Sequence, residues 1–170
     1  MSKQFAAGVL VGILAIAFLA FFILPVFSAT VVHSPDAQEE IISLIDSAQS
    51  SIYVEVYILT SHDVVDALIS AHQRGVDVKV ILEGRVSGGT NALAYSRLSG
   101  AGADVCWASE AYKLTHSKLI IIDGKKALVG SHNLSNSALN FNREISLIVE
   151  GNVVAELLEL FNYDWDTCQL

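Results

Sequence analysis

The chain reads as an α/β protein: a mixed sheet flanked by helices, preceded by an apolar segment of membrane-spanning length. Three observations carry this. Runs rich in Val, Ile and Tyr (residues 51–58, 76–82 and 145–149) alternate with stretches whose apolar residues fall three or four apart. Turn-forming residues such as Gly75 and Asp123-Gly124 punctuate them. Residues 5–27 hold 23 positions without a charge, enough at about 1.5 Å per residue to cross a hydrocarbon core of about 30 Å.

That segment makes residues 1–28 an expected N-terminal transmembrane anchor. A secretory signal peptide, with an apolar region of about 7–15 residues, is the alternative, and Val26-Phe27-Ser28 would serve as its cleavage site. Lys3 ahead of the run and Asp36, Glu39 and Glu40 behind it place the N-terminus in the cytoplasm and the rest on the far side of a membrane. Residues 29–170 then suffice for one domain with its own core.

The elements follow in order. Residues 30–33 form a short strand, and Ser34-Pro35 reads as N-cap and first position of a helix running to about residue 49, with acids in its first turns. Residues 51–58 form a strand. Thr60 with Asp63 resembles a capping box that opens a helix ended by Gly75. Residues 76–82 form a strand, 84–90 a flexible loop, 91–98 a short helix and 103–107 another strand. Residues 116–122 and 127–129 form a hairpin across Asp123-Gly124, residues 145–149 a further strand, and Asn152 caps an amphipathic helix to about residue 165.

Charge is unevenly placed. Beyond residue 28 there are nine Lys or Arg against eighteen Asp or Glu, a balance that disfavours wholesale binding to polyanions. Yet residues 113–143 carry Lys113, Lys118, Lys125, Lys126 and Arg143 against Asp123 alone. Positive charge is concentrated on one stretch. Lys125 and Lys126 suit a solvated turn, whereas Lys118 sits inside an apolar strand.

On that strand His116 and Lys118 share one face, with Ser117 and Leu119 on the other. The hairpin's second strand ends at Gly130. Ser131 and Asn133 follow, with hydroxyl, amide and backbone N–H groups that receive an anion, especially if a helix starts there. A phosphodiester repels nucleophiles, so a site without a metal needs fixed cations and donors to neutralise it, roles that suit Lys118, Ser131 and Asn133. A neutral imidazole attacks phosphorus when an acceptor orients its other nitrogen. Glu144 is the expected orienter of His116.

The pattern His116-x-Lys118, Asp123, Gly130-Ser131-x-Asn133 resembles the HKD signature of the phospholipase D superfamily, and Arg143-Glu144 resembles the family's downstream acidic partner. In scale the chain is similar to the short single-motif members, the small bacterial endonucleases and the mitochondrial cardiolipin hydrolase type. The resemblance implies a phospholipase D-like catalytic domain over residues 29–170. It implies hydrolysis of phospholipids through a phosphohistidine at His116, without metal or other cofactor. The alternative is a membrane-anchored endonuclease of the same mechanism acting on DNA or RNA. One motif per chain implies a homodimer in which two copies of His116 share one active site. Asp123 and Gly130 are carried as structural members, with Asp123 capping backbone donors of the hairpin. The overall acidity and the anchor beside lipid favour phospholipid as substrate. A phosphate-binding protein without catalysis is a third class, and the intact His116, Lys118, Asn133 and Glu144 argue against it.

His33, His62, His72 and His132 read as structural or surface residues. No C-x-x-C or H-E-x-x-H pattern marks a zinc site. Cys106 and Cys168 would join the tail to the sheet in an oxidising compartment, and their spacing leaves open whether they do.

Overall fold

The computed structural model describes Ser28–Cys168, so the expected anchor lies outside the described residues up to Ser28. Seven strands form one sheet: β1 (Ser28–His33), β2 (Ser51–Val56), β3 (Asp77–Leu82), β4 (Asp104–Trp107), β5 (Lys118–Ile122), β6 (Lys126–Gly130) and β7 (Ile145–Glu150). Their spatial order is β1-β7-β6-β5-β2-β3-β4. The neighbours β2, β3 and β4 run parallel, and every other adjacent pair is antiparallel. The mixed sheet expected from the alternating pattern is therefore present.

The helices are α1 (Gln38–Asp46), α2 (His62–Gln73), α3 (Ala92–Gly100), α4 (Asn136–Asn140) and α5 (Asn152–Thr167), with a 3₁₀ turn at Ser87–Gly89. Among the described residues no helix is long and apolar enough to cross a membrane. The larger core lies on one face of the sheet, where Ile41, Ile45, Leu68 and Leu98 pack on Val54, Val80, Ile120 and Leu128. On the other face Val154 and Phe161 of α5 pack on Ile81, Ile121, Ala127 and Val149. Both faces of β5 are thus covered. That double burial explains why residues 118–122 read as a continuous apolar run rather than an alternating one. Each fully buried Ile or Leu contributes about 1.5–3 kcal/mol.

Several helix starts differ from the sequence expectation. Ser34-Pro35 is a cis pair, not a cap. Helix α1 begins at Gln38 after Ala37, with no side-chain cap. Ser34 turns inward instead, fully buried, and donates to the Ala138 carbonyl at 2.6 Å. The cap of α2 is Ser61, one residue beyond Thr60, accepting from Val64 N at 3.4 Å. Before α5, Gly151 rather than Asn152 makes the turn; its φ of 95° is a conformation that glycine adopts without a Cβ clash.

Cys106 on β4 and Cys168 after α5 form a disulfide, with Cα atoms 5.9 Å apart. The open question about this pair is answered by the fold, because α5 crosses back over the sheet and ends above β4.

Candidate active site

His116 is delivered by a segment without regular structure between β4 and β5. Glu83, at the end of β3, holds that segment in place. Its buried carboxylate accepts Thr115 N–H at 2.7 Å and receives Arg85 Nε and Nη2 at 2.7 Å each. Arg85 in turn donates to the carbonyls of Ser109 and Tyr112. Burial alone would raise the Glu83 carboxyl, but Arg85 and the N–H groups of Thr115 and Arg85 outweigh it and hold the group below the usual carboxylate range.

Two residues on, Lys118 is 8% exposed in a strand buried on both sides. Its ammonium donates to the His116 carbonyl at 2.8 Å and contacts His116 Nδ1 at 3.0 Å. The same ammonium lies 5.1 Å from the centre of the Tyr57 ring, whose other neighbour is the His116 imidazole at 4.5 Å. Lysine offers only donors, so Nδ1 must accept, and a neutral His116 then carries its proton on Nε2. Burial lowers the Lys118 pKa, with the Glu144 charge opposing it.

From the next strand, Gly130 brings the rest of the signature alongside. A Cβ there would lie 2.5 Å from Ser146 Cα and 2.6 Å from the Ile145 carbonyl, so only glycine admits β7 at this distance. Ser131 Oγ donates to Glu144 and accepts Ile145 N–H at 3.1 Å. Glu144 also accepts Asn142 Nδ2 at 3.3 Å. Asn133 Oδ1 is buried and has no hydrogen-bond partner among the described residues. His116, Lys118, Gly130, Ser131, Asn133 and Glu144 line one open cavity of about 430 Å³.

Three details depart from the sequence expectation. No helix begins at Ser131: residues 131–133 are irregular, Leu134 N–H bonds the Ile58 carbonyl at 2.9 Å, and α4 starts only at Asn136, capped by Ser135. Ser131 steadies Glu144 with its hydroxyl proton rather than holding it free for an anion. Glu144 faces Ser131 and Asn142, while His116 Nδ1 faces Lys118.

Asp123 stands apart from the cavity, in the β5–β6 turn at φ 55°. Its carboxylate accepts the backbone N–H groups of Gln49, Ser50 and Ser51. These donors lie at the start of β2 rather than in the hairpin of Asp123 itself, where capping was expected. Burial would raise this carboxyl; the three N–H groups and the Ser50 hydroxyl outweigh it and bring it down to about 2.

A family profile described as "Cardiolipin synthase, PLD-like domain" matches residues 41–165. The chain belongs to the phospholipase D superfamily. A Rickettsia felis protein named phospholipase D is 35% identical over 112 residues, which cover 66% of this chain and 55% of that protein. Cardiolipin synthase A of Citrobacter koseri is 30% identical over 131 residues, 71% of this chain and 26% of that one. The chain thus spans about half or less of the length of these relatives. Among solved structures, Nuc of Salmonella typhimurium, a phospholipase D family member, superposes with a TM-score of 0.79 at 29% identity. That likeness covers 85% of this chain and 97% of Nuc.

In this superfamily member, residues outside the signature also surround the site. A second cavity of about 300 Å³ adjoins the first and shares His116, Lys118 and Gly130; Glu55, Ser117, Leu119, Leu157 and Asp164 complete much of its wall. Glu55 on β2, Tyr57 just past its end and Asp164 on α5 were not singled out from the sequence. A glutamate inside the Val-rich run of residues 51–58 was the available signal for Glu55. Nothing local marks Asp164, which reaches the site only because α5 crosses the sheet. His132 is fully buried, between Ser34 Oγ and Ser146 Oγ at 2.7 Å each. Burial lowers its pKa, in keeping with a structural role. Among the described residues no group of three or more His, Cys, Asp or Glu is arranged to hold a metal ion.

Proposed function

We propose that the protein is a phosphodiesterase that hydrolyses phospholipids through a covalent phosphohistidine at His116. The observation that carries the reading is the convergence of His116, Lys118, Asn133 and Glu144 on one cavity. A diester in it would meet the Lys118 ammonium and the Asn133 amide at its non-bridging oxygens. As Lys118 turns toward the phosphate it releases His116 Nδ1; the imidazole proton then passes from Nε2 through solvent to Nδ1, where Glu144 holds it, and the freed Nε2 lone pair attacks phosphorus. The leaving oxygen takes the proton of the imidazolium of the second protomer's His116, that imidazole then deprotonates the water that attacks the phosphohistidine, and the phosphomonoester is released with free His116. Lys118 supplies positive charge where a metal would otherwise act, so turnover should survive chelation.

Two features support lipid over nucleic acid. The adjoining cavity carries Asp164 among leucines, a lining that suits acyl chains better than the flanking phosphates of a polynucleotide. The apolar run of residues 5–27 would hold the site beside a bilayer. The Cys106–Cys168 disulfide supports a domain in an oxidising compartment, outside the cytoplasm. Cleavage of nucleic acid is the second reading, supported by the single-motif scale shared with Nuc.

One chain supplies one His116, so a homodimer completes the site. A row of apolar side chains in register, Val31, Leu147 and Val129, crosses β1, β7 and β6 on the α5 side, and α5 leaves Val31 and Leu147 exposed. Ile145, also exposed, extends this face toward Glu144. Such a patch beside the cavity suits a two-fold contact.

The test is a parallel assay of the full chain on phosphatidylcholine and cardiolipin vesicles and on single-stranded and duplex DNA and RNA, with and without EDTA. Lipid hydrolysis that survives EDTA, together with an acid-labile phosphate adduct absent from His116→Ala, is expected. Cleavage confined to nucleic acid would establish the second reading. A strict requirement for a divalent ion would overturn the mechanism.

A further inference from the structure

We propose that Glu55 is a positioning residue of the active site, acting through Ser117 to set the His116–Lys118 segment. The inference rests on the phosphodiesterase reading and names a residue outside its signature. Ser117 lies between His116 and Lys118 of the signature, with its side chain turned to the opposite face of the sheet. It is gripped twice by the neighbouring strand end. Its hydroxyl donates to Glu55 Oε1 at 2.6 Å, and its carbonyl accepts Tyr57 N–H at 3.0 Å. Tyr57 is the same residue whose ring lies against the His116 imidazole and beneath the Lys118 ammonium. Glu55 and Tyr57 thus fix the backbone from which both signature side chains depart.

A carboxyl at this place needs a reason. Glu55 is 3% exposed, in register with Leu119 on a sheet face otherwise packed with apolar and aromatic side chains. Leucine or valine would fill the position without the penalty of burying an acid. The groups against it are Ser117 from the approach to β5, Asp164 from α5 and Tyr112 from the preceding loop through Asp164, while His116 and Lys118 line the same cavity. Burial, together with Asp164 and against the Ser117 hydrogen bond, pushes Glu55 up to about 7. The grip on Ser117 therefore changes character near neutral pH. An ionised carboxylate accepts the hydroxyl strongly, whereas a protonated one accepts it as a neutral group. Asp164 extends the link to α5, the helix that closes the second face of the sheet.

The experiment uses the full chain, a soluble aryl phosphodiester as probe substrate, and the variants Glu55→Gln, Ser117→Ala and their combination. Turnover and KM are read across pH 5.5 to 9, and the imidazole titration of His116 is followed by NMR on isotopically labelled histidine. Each single variant is expected to lower kcat about tenfold while KM stays within about twofold, by analogy with lost positioning contacts. The double variant should be no worse than either single one. Glu55→Gln should remove an inflection of kcat near pH 7 and shift the His116 titration. If Glu55→Gln fails to fold, Ser117→Ala alone still decides, because it breaks the same hydrogen bond without burying a new group. Unchanged kcat and an unchanged His116 titration in Ser117→Ala overturn the proposal, as do additive losses in the double variant. If the wild-type chain cleaves no diester at all, the phosphodiesterase reading fails, and the His116 titration still accepts or rejects the role of Glu55.

Discussion

Two carboxyls with opposite displacements make the residue scale testable. Asp123 is held at about 2 in the fold, below the 3.8 of an unperturbed group, so its contribution to stability is present above pH 4 and lost as pH falls through 2. Partial solvent access discounts the full linkage value, leaving about 1–2 kcal/mol. Asp123→Asn should therefore lower the urea-unfolding free energy by that amount at pH 7 and leave it unchanged at pH 2. Equal losses at both pH values would mean that shape rather than charge matters at the turn. Glu55 runs the other way. Its pKa is raised from 4.5 to about 7, so the folded chain binds the extra proton and stability declines as pH climbs between those values. That decline amounts to about 3 kcal/mol at most, and Glu55→Gln should flatten it in the same urea series. Lys118 belongs to this scale as well. Its charge is fixed against one carbonyl and one imidazole, and Lys118→Met should keep the fold while cutting turnover by about 10²-fold or more, by analogy with a lost oxyanion donor.

Elements carry the signature by crossing at close range, and this is where sequence and structure divide. The β5–β6 hairpin and the end of β6 at Gly130 were legible from apolar runs and a turn dipeptide, and the grouping of His116, Lys118 and Asn133 from the signature, although His116 lies before β5 rather than on it. The closeness of β7 was not. Gly130 reads as a strand terminator, yet its lack of a Cβ is what lets Ser146 and Ile145 pass within 2.6 Å of the ideal Cβ position. Gly130→Ala is accordingly expected to force β6 and β7 apart, destabilising the fold by about 1–3 kcal/mol or more and abolishing turnover by displacing Ser131 and Asn133. A variant with full activity and an unaltered melting temperature would show that the strands yield. The misplaced helix starts have a related cause: Ser34 looks like a cap, but a buried histidine 98 residues away and the carbonyls of α4 compete for its hydroxyl. Long-range partners of this kind leave no local trace. Glu83 and Arg85 were illegible for the same reason, since the loop they hold is irregular and distant in sequence.

At the scale of the whole molecule, the disulfide and the proposed dimer act on the same face of the sheet. Cys106 and Cys168 are separated by 62 positions, and closing a loop of that length stabilises by about 4 kcal/mol in the chain-entropy account. Reduction, or Cys168→Ser, should lower the melting temperature and loosen α5, whose Asp164 borders the second cavity beside His116 and Lys118. The assembly itself is tested by mixing. If nucleophile and general acid are the two copies of His116 across a two-fold axis, a heterodimer of wild type and His116→Ala holds one imidazole where the reaction needs two. Full chains in detergent, mixed in equal amounts and allowed to exchange, would place about half of the wild-type protomers in such heterodimers. Turnover per wild-type chain should then fall to about half of its unmixed value and continue toward zero as the variant is added in excess. A turnover per wild-type chain that stays constant at every ratio would show that one protomer completes the reaction alone. The apolar row of Val31, Leu147 and Ile145 gives the same question a second handle. Replacing Leu147 with Lys should weaken association and depress activity at low concentration, with full activity recovered at high concentration, because it burdens the contact without touching the cavity.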